Sequence, residues 1–257
     1  MQNLITTELR NFECEHNVKV LFAVESGSRA WGFASQDSDW DVRFVYIHKP
    51  EWYLSIDNKR DTIEVMLPND LDFAGWELQK ALRLFRKSNP PLLEWLGSPL
   101  VYLEQFSTTE RLRRLSADYF SAKSCLHHYL NMASGNFREY LKADMVKVKK
   151  YFYVLRPILA CKWIEQTDTI APMEFQKLIN SQLNDLAVKS EVLRLLERKR
   201  GGMEMDKEPK IEILNRFLER EIDYFSNIVK SVQRNDTPST EVLDLLFRET
   251  LEEAWTP

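Results

Sequence analysis

The stretch from Val18 to Ile47 limits the fold of this chain more than any other. VKVLFAV (18–24) and DVRFVYI (41–47) are short, β-rich apolar runs separated by a loop of Gly, Ser and Asp. Period-two alternation puts Val18, Val20, Phe22 and Val24 on one side of the first strand. A third strand is predicted over DTIEVML (61–67), after a loop carrying Pro50 and an Asp57-Asn58 turn signal. The short apolar piece LDF (71–73) is expected to run into a helix from about Trp76 to Lys87, stopped by Ser88-Asn89-Pro90-Pro91. Ahead of all this, Ile5, Leu9 and Phe12 share one helix face.

From about residue 107 the texture changes to helical periodicity, opening at Ser107-Thr108-Thr109-Glu110. Helices are expected near 109–133, 137–165, 172–183, 185–199, 208–233 and 239–254. Pro157 should kink or break the second, and Gly201-Gly202 interrupts the pattern. The predicted fold class is α+β: a small mixed-sheet domain over 1–105 followed by an all-helical domain over 106–257. With 44% hydrophobic and 29% charged residues the chain is not disordered, and a net charge of −4 argues against a histone-like coat on nucleic acid. There is no apolar run of about 18 residues, and the N-terminus has no apolar leader. Cys14, Cys125 and Cys161 lie far apart, as reduced core thiols of a cytoplasmic protein would. The seven Trp read as core. Four His without metal spacing disfavour zinc.

Chemistry concentrates in Glu25–Arg43, ESGSRAWGFASQDSDWDVR. Gly27-Ser28 ends a strand and opens a short helix, a place where backbone amides and a hydroxyl favour a phosphate and Arg29 can add charge. Asp39 and Asp41 stand at the head of the next strand, two residues apart and so on one face. Carboxylates that close repel unless a cation sits between them, and Mg²⁺ commonly binds through one or two carboxylates plus substrate phosphates. Alone, such an Asp-x-Asp is as easily a solvated loop; joined to the preceding strand and Gly-Ser turn, it suits phosphoryl or nucleotidyl transfer.

The string GSRAWGFASQDSDWDVRF resembles the nucleotidyltransferase signature of the DNA polymerase β superfamily, in its RNA-repair-pathway branch. LDFAGWELQKALRLFRKSNPPLLEWLGSPLVY (71–102) and KKYFYVLRPILACKWIE (149–165) are similar to two further blocks of that branch. The resemblance implies a nucleotidyltransferase domain and a helical domain that closes over nucleotide. It also implies a cofactor, Mg²⁺ (one or two ions, Mn²⁺ substituting), and an NTP substrate. By position Asp39, Asp41 and Asp72 become the catalytic and metal-holding carboxylates. Asp72 is preferred for the third place over Glu64 and Asp70, although it also reads as a helix N-terminal acid. Gly27, Ser28, Arg29 and Lys80 become nucleotide contacts in the first half.

Between Arg138 and Trp163 seven basic residues face two acids, a local +5, interleaved with Tyr140, Tyr151, Phe152 and Tyr153. Such a surface suits a triphosphate or an RNA acceptor, and the resemblance makes Lys149, Lys150, Tyr153 and Arg156 nucleotide contacts. The plainer reading is a core face backed by solvated lysines. The acidic end, 235–257, reads as a surface helix able to dock on this basic stretch when substrate is absent. A non-catalytic nucleotide- or RNA-binding module, or an antitoxin-like partner on the same fold, is the alternative to an enzyme. No membrane partner is expected, and the acceptor, base preference and oligomeric state are left open.

Overall fold

The computed structural model describes residues 1–203, 207–232 and 238–256. These residues form two compact units. The first is built on a five-stranded mixed sheet of order β3-β4-β2-β1-β5. Its strands are β1 (Val18–Glu25), β2 (Trp40–His48), β3 (Thr62–Leu67), β4 (Leu71–Glu77) and β5 (Val101–Glu104). β1 pairs antiparallel with β2 and β5, and β3 pairs antiparallel with β4. β2 and β4 run parallel, with Asp41 opposite Asp72 and Tyr46 opposite Glu77. That single parallel pair brings two N-terminal strand ends together, and it positions the site.

Helix α1 (Gln2–His16) lays Ile5, Leu9 and Phe12 onto Val18, Val20, Val42, Phe44 and Phe73. Phe12 stacks on Phe44 at 6.0 Å and meets the edge of Phe73 at 5.2 Å, offset geometries that ring quadrupoles favour. Gly75 lets the Phe44 ring lie flat on β4, since a Cβ there would come within 2.3 Å of it. The short helices α2 (Gly27–Ala30) and α3 (Pro50–Tyr53) follow β1 and β2. Then come α4 (Leu78–Arg86), α5 (Pro90–Leu96) and α6 (Thr108–Tyr119). The Glu77 side chain caps α4 and Asn89 caps α5, each accepting an N–H of the first turn.

In the second unit α7 (Ala122–Tyr140), α9 (Phe175–Gln182), α10 (Leu186–Arg200) and α11 (Glu212–Ser231) accompany α8 (Phe152–Thr167). α8 is buried along most of its length, from Phe152 to Ile164. β6 (Met145–Lys147) and a 3₁₀ turn over Val148–Tyr151 precede α8, and β6 pairs antiparallel, as a two-stranded ribbon, with β7 (Lys207–Pro209), which follows α10. Among the described residues no helix is long and apolar enough to cross a membrane.

The α+β class holds, with three corrections of detail. LDF is the start of a seven-residue strand, and the helix begins only at Leu78, so Asp72 is a strand residue rather than a helix-start acid. The helix expected over 137–165 is broken at Leu141 and the ribbon, whereas Pro157 sits inside an unbroken α8. A cut at 105/106 does not describe the grouping. α6 and α12 (Glu241–Trp255) belong with the sheet, where Arg111 pairs with Glu249 at 2.5 Å and Thr108 meets Thr250 at 2.9 Å. Residues 31–38 belong with the helices, because Phe33 stacks on Phe152 at 4.9 Å and against Phe175 at 5.5 Å.

The acidic end docks accordingly within the sheet unit: Glu253 accepts the Ser107 N–H and hydroxyl. Residues 233, 235–237 and 257 of the expected C-terminal elements lie outside the described residues. Two composition-based expectations also change. Cys14 is exposed, unlike Cys125 and Cys161. Of the seven Trp only Trp95 is fully buried, because an indole is large enough to cover a core edge without entering it.

Candidate active site

The site grows from the N-terminal ends of β2 and β4. β1 delivers Glu25 at its end, wholly buried, and the chain turns through Ser26 and Gly27. The Ser26 N–H donates to the Asp41 carbonyl at 2.8 Å, and the Asp41 N–H donates to Glu25 Oε1 at 2.8 Å. The Tyr102 hydroxyl donates to Glu25 Oε2, and the Ser98 hydroxyl donates to the Glu25 carbonyl at 2.6 Å. Burial raises the Glu25 pKa, opposed by the Tyr102 and Asp41 hydrogen bonds. A buried carboxylate thus clamps the Gly27 bend to the head of β2.

Gly27 has φ +56°, and a Cβ built on it would lie 2.0 Å from Asp41 Oδ2. Only glycine lets the bend press so closely on that carboxylate. The other Asp41 oxygen, Oδ1, accepts a hydrogen bond from Arg43 Nη2 at 2.8 Å, and the same nitrogen donates to Asp72 Oδ2 at 2.8 Å. Arg43 Nη1 donates to the carbonyls of Val42 at 3.2 Å and Asp72 at 3.0 Å. One guanidinium is shared by two carboxylates. Burial raises the Asp41 pKa; the Arg43 charge opposes this, while the negative charges of Asp72 and Asp39 add to it.

Asp39 lies just before β2 and is exposed. Its carbonyl accepts from Arg29 Nε at 3.1 Å, and the Arg29 guanidinium stacks on the Trp40 ring at 3.7 Å. Arg29 is therefore held at the rim beside the carboxylates. Ser28 is half-buried within α2. Lys80 sits elsewhere: its Nζ bonds Asp61 at 2.9 Å, beyond the far ends of β2 and β4. Glu64 is exposed on β3 and pairs with Arg60 at 3.2 Å. Asp70 is exposed, with φ +55° and its carbonyl on the Trp40 N–H.

The remaining candidates belong to the helical unit. Lys149 is exposed, and Lys150 Nζ lies over the rings of Tyr140 at 4.2 Å and Tyr153 at 4.9 Å. Tyr153 is 42% exposed, which contradicts a core reading of that residue. Arg156 is the reverse, 1% exposed and 4.7 Å from the Trp31 ring. Lys162 is paired with Glu221 at 2.9 Å.

Residues 1–249 match the RNA repair pathway DNA polymerase beta family (RlaP). The chain belongs to this family. It is 50% identical over 255 residues to the uncharacterized protein YcgL of Bacillus subtilis (strain 168), covering 99% of this chain and 98% of that one. A crystal structure of a nucleotidyltransferase-like protein from Exiguobacterium sibiricum 255-15 aligns over 98% of this chain and 90% of its own. At 12% identity and a TM-score of 0.32, that likeness is too distant to carry an argument. The RlaP family is polymerase-β-like.

Sequence reading passed over three residues at this edge: Glu25, Arg43 and Tyr102. Arg43 had a signal, since alternation puts it on the Asp41 face of β2. Glu25 had a weaker one, a charge closing an apolar strand. Tyr102 had none, because its role depends on β5 pairing with β1.

Proposed function

We propose that the chain is a divalent-cation-dependent nucleotidyltransferase that moves a nucleoside monophosphate from an NTP to a hydroxyl acceptor, an RNA end. The observation that carries the reading is the placement of Asp41, with one oxygen on the cation it shares with Asp72 and the other against the Gly27 bend. The acceptor hydroxyl would attack the α-phosphorus and release its proton to solvent, the bond to the oxygen bridging the α- and β-phosphates would break, and pyrophosphate would leave.

The donor set suits Mg²⁺ or Mn²⁺ in kind. Asp41 and Asp72 are hard oxygen ligands already turned toward a single positive group, with Asp39 close enough for its charge to affect Asp41. Bound by these residues, the ion would neutralise charge developing on the triphosphate. Gly27 keeps the bend bare of side chain where a phosphate would approach, with Ser28 and Arg29 beside it. RNA as acceptor is supported by membership of an RNA repair pathway family and by the exposed side chains of Lys142, Lys147, Lys149 and Tyr153.

A second reading, a non-catalytic nucleotide or RNA binder, is favoured by one observation. Among the described residues no three His, Cys, Asp or Glu side chains converge as a metal group. Incubation with each labelled NTP, Mg²⁺ and cellular RNA separates the two. Label transferred to RNA with pyrophosphate released, and lost in Asp41→Asn and in Asp39→Asn, supports the transferase. Metal-dependent NTP binding with no pyrophosphate on any acceptor supports the binder.

A further inference from the structure

We propose that Arg43 is the resident cation of the carboxylate pair, a positioning residue that keeps a free divalent ion out and yields the place to an ion arriving with nucleotide. This rests on the nucleotidyltransferase reading and concerns how the same site is loaded. Asp41 Oδ1 and Asp72 Oδ2 each lie 2.8 Å from one nitrogen, Arg43 Nη2, so both oxygens are aimed at a single point of positive charge. A divalent ion held by the same two carboxylates would need that point for itself. Guanidinium and ion are therefore alternatives.

The guanidinium has to move. Its two hydrogen bonds to the Val42 and Asp72 carbonyls run from the other terminal nitrogen, Nη1. Because the guanidinium is rigid, these bonds must loosen as well when Nη2 leaves the carboxylates. A bare ion must break two charge-assisted hydrogen bonds in a half-buried site, with side chains 18%, 27% and 32% exposed for Arg43, Asp41 and Asp72. An ion carrying a triphosphate brings negative charge for the released guanidinium and so recovers what the exchange costs. Metal entry becomes coupled to nucleotide entry.

The probe is Mn²⁺ alone, measured by calorimetry and by the rise in melting temperature it causes, on wild type, Arg43→Gln and Arg43→Lys. Arg43→Gln should bind Mn²⁺ about tenfold more tightly than wild type or better, the equivalent of at least one charged hydrogen bond no longer to be displaced. Its melting temperature should also rise more steeply with Mn²⁺. Wild type should reach that affinity only with a non-hydrolysable NTP analogue present. Arg43→Lys keeps the charge but loses the fork, and should fall between the two; it serves if Arg43→Gln does not fold. Mn²⁺ affinity equal to or weaker than wild type in the variants overturns the proposal. Tighter binding that Asp41→Asn abolishes, with no nucleotidyl transfer by wild type, leaves Arg43 as proposed and removes the transferase reading. Transfer by wild type with equal Mn²⁺ affinities does the opposite.

Discussion

β2 and β4 carry polar side chains at both ends, and the two ends treat them in opposite ways. At the N-terminal ends Asp41 and Asp72 are each about a quarter to a third exposed and share Arg43. At the C-terminal ends Glu77 is 1% exposed, accepting the Tyr53 hydroxyl at 2.6 Å and the Lys80 N–H at 3.2 Å. Burial raises its pKa. Beside it the Tyr53 hydroxyl also accepts the His48 N–H at 3.1 Å. One end balances charge with charge at a half-buried edge of the sheet. The other ties a buried carboxylate to a half-buried hydroxyl and to the first turn of α4 by hydrogen bonds. The first arrangement is suited to chemistry and the second to holding α3 and α4 on the sheet.

The largest expected effect tests that division directly. Asp72→Asn should reduce nucleotidyl transfer about a thousandfold, the equivalent of several kcal/mol of lost charge stabilisation, while barely moving the melting temperature. Glu77→Ala should do the reverse. Removing the α4 cap and stranding the Tyr53 hydroxyl costs about 2–4 kcal/mol, with transfer per folded molecule unchanged. Single-turnover transfer and thermal melts on both variants measure it. Equal loss of stability in the two would break the comparison.

Gly27→Ala comes next. An L-residue at φ +56° is strained by about 1–2 kcal/mol, and the new methyl must also push Asp41 off its place. Gly32 has φ +84°, but a Cβ added there would meet no atom within 4 Å. Gly32→Ala should therefore show the strain alone, with Mn²⁺–NTP affinity intact, while Gly27→Ala loses both. Equal affinities would mean that the bend does not depend on its closeness to Asp41.

What the sequence disclosed follows the same physics. The bend at Gly27 and the place of Asp41 at the head of β2 were legible because close approach demands Gly and strand alternation fixes faces. The length of β4 was not, since its alternation passes through Gly75, whose bare backbone is explained only by the Phe44 ring lying on it. Arg43 was visible in the pattern, yet its meaning depends on Asp72, which is brought opposite Asp41 by a parallel pairing 31 residues away in sequence. In the helical unit the ribbon joins residues about sixty apart, beyond any local period. The basic stretch divides for a related reason. Charge can be counted in a sequence but exposure cannot, and Arg156 is spent against Trp31 while Lys149 faces solvent.

The smallest expected effect lies at the scaffold end. Burial lowers the His48 pKa to about 4, with the positive charges of Lys59 and His16 acting in the same direction. Its ring stacks on Trp52 at 4.2 Å and meets the edge of Tyr46 at 5.5 Å. The native state therefore holds His48 neutral across a window in which the unfolded chain, titrating near 6.5, takes up a proton. Stability from this group is fully present above pH 6.5 and is lost as pH falls toward 4. Glu25, Asp41 and Glu77 have raised values and act with the opposite sign, each favouring the native state as it protonates. The difference between wild type and His48→Gln isolates the histidine. Melting temperatures should decline less steeply for the variant between pH 6.5 and 4, and transfer at pH 7 should be unchanged. Because His48 is only half-buried, solvent screens the charge and the effect stays small. Parallel stability curves would show that the protonated ring is tolerated in place, and the far end of the strands would then accept added charge as the Asp41–Asp72 edge does.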